Sequence, residues 1–255
     1  MSPSAFFNTV GGLPPFIDDG VRPSTLLAAV ACTRRNADPK AHAALTDYLE
    51  PGNARALYKR LATSQVAEFE STDCSVVEQQ HIQMATATVC RANPAWGSFF
   101  SIPIRYRRLL QPMSSSTSAL IPQTIYLGER AFDSPIPLEE TLVHEHAHIW
   151  LNFIMEVYDL QTPDAPRDYV LPSGTRGKTL RGVMAAAHFA AATLKYYRQL
   201  PSPAAAPERQ LYLQKYLAIC LDTAAQRPFF TSMGSLVFSA LHDCHQHLIQ
   251  LPQGK

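Results

Sequence analysis

The chain has 255 residues, 46 % of them apolar, and a formal net charge of +1. Such a chain can bury a large core, which excludes a disordered protein. The only basic cluster, Arg105, Arg107 and Arg108, is short, so neither nucleic acid nor a membrane surface is an expected partner. The opening MSPSAFFNTVGGLPP lacks a charged start followed by an apolar run, and no stretch approaches ~20 continuous apolar residues. No signal peptide and no transmembrane helix are expected. Five scattered cysteines (Cys32, Cys74, Cys90, Cys220 and Cys244) without a CxxC pattern predict reduced thiols in a cytoplasm.

Residues 1–23 are punctuated by Pro and Gly and predict a segment wrapped over the surface. Apolar residues at three-to-four spacing predict helices over Thr25–Arg35, Lys40–Leu49, Asn53–Phe69 and Val76–Arg91. Asn93–Pro112 mixes aromatics, prolines and isoleucines and shows no clear period. SSSTS, Ser114–Ser118, reads as a polar loop. ALIPQTIYLGE then predicts a strand marked by Ile121, Ile125 and Leu127, with Pro122 placing it at an edge or at its own beginning. Pro137 suits the first turn of a helix, with Glu139 and Glu140 favourable at its positive end; that helix should run to about Tyr158. Gln161–Gly177, broken by Pro163, Pro166, Pro172, Gly174 and Gly177, predicts a long loop, which in a compact domain is usually functional or mobile. Helices follow from Lys178 to Leu200, Glu208 to Ala225 and Ser232 to Leu251, with a linker over Pro201–Pro207. The sum is a mainly α (α+β) fold. It is one catalytic domain over residues 1–255, with a helical half 1–113 and a metal-binding half 114–255, in which a small β element precedes a zincin-like HExxH helix.

That helix carries TLVHEHAHIWLNF, Thr141–Phe153. Residues four apart share one helix face, so His144 and His148 can bind one metal ion. Glu145 is offset by one residue and reaches the rim of the same site, where in a zinc peptidase it would activate the bound water. His146 points away from the pair. Leu142, Val143, Ile149, Leu151 and Ile154 supply the packing face.

Two ligands hold a metal poorly, so a third is expected. The spacing HExxHxxGxxH is absent, since Leu151 and Ile154 stand at its Gly and His positions. Glu156 is eight residues past His148, ~12 Å along the same helix and too far. Asp159, Asp164 and Asp168 remain open, but His188 is better placed, on a helix face shared with Leu180, Met184, Ala187, Ala191 and Leu194. The small flanks AAAHFAAA allow close helix approach. Arg181 lies seven residues before His188 on the same stripe, and an arginine there suits a carboxylate, which it grips with a bidentate fork.

The stretches LVHEHAHIWLN, DYVLPSGTRGKTLRGV, HFAAATLKYYRQL and FFTSMGSLVFSALHDCHQHL, the last with its Thr-x-x-Gly helix start, cover roughly the C-terminal half. Together they resemble the HExxH-type 2-oxoglutarate/iron(II)-dependent peptide β-hydroxylases of peptide natural-product biosynthesis. The chain departs from that pattern at Leu171-Pro172, where a Trp-Arg pair is common, and at Ala185-Ala186, where a His-Gly step is common. The resemblance implies iron(II) on His144, His148 and His188, and 2-oxoglutarate as cosubstrate held by Arg181 or Arg176. Glu145 becomes a supporting group, and the substrate is a peptide or amino-acid-derived molecule, free or carried on a leader or carrier. The alternative is a zinc metallopeptidase with Glu145 as general base. HEHAH alone does not separate the two. His242, His245 and His247 near the C-terminus read as a solvated helix face.

Overall fold

A computed structural model describes residues 2–38, 44–61, 68–200 and 206–250. In chain order the elements are α1 (Pro3–Val10), α2 (Pro23–Ala37), α3 (Pro51–Leu61), β1 (Ser71–Asp73), α4 (Val76–Ala92), the short α5 (Gly97–Phe100), β2 (Arg105–Leu109), β3 (Ser115–Ser118), β4 (Ile121–Leu127), α6 (Pro135–Val157), α7 (Leu180–Gln199), α8 (Pro207–Gln226) and α9 (Ser232–Gln250). The fold is mainly helical with one small four-stranded sheet. Parts of the helices expected over Lys40–Leu49 and Asn53–Phe69, and most of the Pro201–Pro207 linker, lie outside the described residues. Among those described, Leu45–Leu49 forms a short 3-10 turn and α3 ends at Leu61. No described helix is long and apolar enough to cross a membrane, and all five cysteines are free thiols.

The chain divides into two compact units, Pro23–Val157 and Met1–Arg22 with Tyr158–Lys255. In the first, the strand order is β1-β2-β4-β3, with β2 and β4 parallel and the other two pairings antiparallel. β3 is formed by the serines and threonine read as a polar loop, and it is an edge strand. A run in which every residue is polar hides the two-residue alternation that marks a half-buried strand. Gly128 permits the pairing: its N–H donates to the Ser114 carbonyl at 2.8 Å, and a Cβ there would collide with the Met113 carbonyl oxygen. β4 lies inside the sheet, and all seven of its residues are buried. Pro122 sits near its start, where the ladder to β3 slips and the pairing to β2 has not begun, so its missing N–H leaves no ladder bond unmade.

Gln123, at φ +53°, occupies the same irregularity. Its side chain accepts from Arg34 Nη1 at 2.7 Å and donates to the carbonyls of Leu49 (2.5 Å) and Pro103 (2.9 Å). Arg34, on α2, also makes a bidentate pair with Glu156 on α6 at 2.7 and 2.8 Å. One buried guanidinium thus ties α2, α6 and β4 together. α4 begins with a capping box in which Ser75 and Glu78 satisfy each other's backbone N–H groups.

In the second unit α7, α8 and α9 pack on one another. The N-terminal segment is not a surface wrap. Ser2 caps α1, and Phe6, Val10, Leu13 and Phe16 are buried in the unit's core. Pro and Gly punctuation predicts where a chain turns, and burial depends on what the turned segment lies against. The long loop keeps two short β-bridges, Gln161 with Phe230 and Tyr169 with Lys178. Thr231 caps α9 through the Gly234 N–H at 3.0 Å. A Cβ on Gly234 would collide with the Leu160 carbonyl oxygen, which gives the Thr-x-x-Gly start its physical meaning.

Candidate metal centre

α6 has few charged residues along its length and buries most of its surface, including Leu142, Val143, Ala147, Trp150, Leu151 and Ile154. His144 and His148 project from its less buried side, one turn apart. Their Nε2 atoms converge to 3.0 Å, with ring centroids 4.7 Å apart. In the metal-free chain that separation is an imidazole–imidazole hydrogen bond, and two nitrogens brought this close on one helix face could also bind one divalent ion.

Glu145 turns inward beside the pair. It is buried, and its Oε1 lies 3.9 Å from His144 Nε2. Burial pushes its carboxyl up to about 7, and the nearby Ser115 and Thr117 hydroxyls of β3 only partly offset this. Its Oε2 is buried without a hydrogen-bond partner. An orphan oxygen and a raised titration both mark a place short of positive charge, which a cation on the imidazole pair would supply.

His146 faces elsewhere, as its position in HEHAH predicts. It is fully buried, its Nε2 lies 3.0 Å from Tyr106 Oη on β2, and the Phe100 ring is 4.2 Å from its own. Desolvation lowers its pKa to about 3, so the ring is neutral at any working pH.

His144, Glu145 and His148 stand together in one unit; His188, Arg176 and Arg181 belong to the other. His188 is buried on α7, with its Nε2 2.6 Å from the Pro15 carbonyl oxygen and its ring near Phe16. Arg176 and Arg181 are exposed. Of the other carboxylates weighed, Glu156 is taken by Arg34, Asp168 pairs with Arg227 at 2.7 Å, and Asp159 and Asp164 are exposed. Among the described residues no group of three or more His, Cys, Asp or Glu side chains is placed to hold a metal ion, and the C-terminal histidines of α9 form none.

Sequence reasoning missed Ser115, Thr117 and Tyr106. Thr117 and Ser115 are two apart, as residues on one strand face must be, but the neighbouring serines masked that signal. Tyr106 lies in a stretch with no readable period. No family model and no curated protein matches this chain.

Proposed function

We propose that the chain is an iron(II)- and 2-oxoglutarate-dependent oxygenase acting in the cytoplasm in natural-product biosynthesis. It hydroxylates an unactivated carbon, a side-chain β-carbon, of a peptide or amino-acid-derived substrate. The observation that carries this reading is the enclosure of Glu145. A carboxylate shut from solvent beside the imidazole pair is built to orient and balance charge, more than to reach out and take a proton from an attacking water. The sequence resemblance over the C-terminal half points the same way.

In this reading His144 and His148 hold the iron through Nε2. His188 is engaged by Pro15, so the reading rests on the pair. When bound, iron(II) with 2-oxoglutarate and O₂ supplies an oxidant that turns C–H into C–OH, with 2-oxoglutarate leaving as succinate and CO₂. The chain's own work is positional. Glu145 fixes the heading of the helix on which both ligands sit, and the packed aromatic core behind it keeps water from that side. The resemblance assigns Arg181 and Arg176, both exposed on their own unit, to the far carboxylate of 2-oxoglutarate, which a guanidinium grips with two parallel bonds.

A second reading, a zincin-like zinc metallopeptidase, is favoured by one observation. β3 is an edge strand beside Glu145, and edge strands accept extended peptides by main-chain pairing. One assay separates the two: succinate formation with iron(II), 2-oxoglutarate and O₂, with and without candidate peptides. The oxygenase reading expects succinate, a loss of about 10–100-fold for Glu145→Gln, and a sharply raised 2-oxoglutarate requirement for Arg181→Ala. No succinate under any condition, with bound zinc and peptide cleavage that Glu145→Gln abolishes, establishes the peptidase instead.

A further inference from the structure

α6 is fastened to the sheet at the middle of its metal-site motif. His146 is held by Tyr106 of β2, an interior strand paired with β4. His146 lies ~160–200° around the helix from His144 and His148, so an anchor there on the opposite face opposes rotation of α6. The residues whose direction is thereby fixed are the neighbours on either side, His144 and His148. The His146 ring is itself fixed. Phe100 lies against its face and Tyr106 Oη engages Nε2 at 3.0 Å, while Nδ1 is buried without a hydrogen-bond partner. The Tyr106 contact is therefore the one polar bond that the described residues give this ring. Tyr106 in turn is set by β2, where it stands in register with Ile125 of the buried central strand.

We propose that Tyr106 and His146 are positioning residues of the metal centre. They form a buried hydrogen-bonded lock that sets the rotation of α6, so that the Nε2 atoms of His144 and His148 converge on one ion. The middle histidine of HEHAH therefore serves the site without touching the metal. This inference rests on reading His144 and His148 as metal ligands. It adds what holds them in register, and it is indifferent to whether the bound metal performs oxygenation or hydrolysis.

The test is a cobalt(II) titration of the full chain, followed by visible d–d absorption, with thermal melts alongside. Wild type should bind cobalt with a defined d–d band. Tyr106→Phe keeps the ring and removes one hydroxyl; it should weaken cobalt binding about 10–100-fold and displace the band. Tyr106→Phe with His146→Leu removes both polar partners, so no buried group is left unpaired. It should recover much of the melting temperature lost in the single variant, without recovering cobalt affinity. The lock is refuted if Tyr106→Phe binds with wild-type affinity and spectrum. It is also refuted if the double variant regains affinity together with melting temperature, because the pair would then be core packing alone. A wild type that binds no cobalt overturns the metal reading and the lock with it, whereas a defect-free Tyr106→Phe overturns the lock and leaves the metal reading standing.

Discussion

Glu145 shows how one side chain's surroundings set its chemistry. Its carboxyl is buried beside the His144 imidazole, and burial pushes it up to about 7, where an ordinary glutamate titrates near 4.5. The sign of the consequence follows from which form the folded state prefers. The folded pKa is raised, so the protonated carboxyl is favoured by folding. In metal-free protein that contribution is fully present below about 4.5 and is lost as pH rises through about 7. The loss is on the order of 3 kcal/mol. Glu145→Gln keeps the shape and polarity of the side chain and cannot ionise. After chelation of metal, its melting temperature should fall less than wild type's between pH 5 and pH 8. Parallel melting curves over that range would show that the carboxyl is not strained by burial. HEHAH itself announced the position of this residue, and the strand β3 beside it could not be read because it has no apolar alternation.

Among the elements, α6 depends on more than its own sequence. Its C-terminal half is clamped by Arg34, whose guanidinium is buried and meets Glu156, Gln123 and the Tyr48 carbonyl in one place. Removing the cation leaves Glu156 buried and unpaired. Arg34→Met should therefore cost about 3–5 kcal/mol of unfolding free energy, measured by denaturant titration, and Glu156→Met in the same chain should restore much of it. A single-variant loss below ~1 kcal/mol, typical of an exposed ion pair, would mean that the clamp carries little. The existence of α2 and α6 was legible, since both repeat their apolar residues at helical spacing. The clamp was not legible, because its four participating segments are separated by up to 122 residues and no local pattern marks which arginine will be buried.

For the whole molecule, the placement of the first 22 residues departs furthest from the reading of the sequence. They fold with the C-terminal unit, burying Phe6, Val10, Leu13 and Phe16, while Lys195 reaches the Ile17 carbonyl at 3.2 Å and Asp19 at 2.8 Å. Four buried side chains of this size are worth roughly 1.5–3 kcal/mol each. Deleting residues 2–22 should therefore open α7–α9 to limited proteolysis and lower their cooperativity of unfolding. A deletion as protease-resistant as the full chain would make the segment the surface wrap that its prolines and glycines suggest. What the sequence determined by itself was local: α2, α4, α6, α7, α8 and α9, the pairing of His144 with His148 one turn apart, the heading of His146 away from that pair, and the Thr231 cap. Each rests on interactions within about four residues, which spacing alone displays. What only the tertiary structure decided was non-local: β3 as a strand, β4 as an interior one, the burial of the N-terminal segment, and the partner of His188. These depend on which distant backbone or cavity meets a given side chain, and the free energy of such pairings is not written in the residues on one side alone.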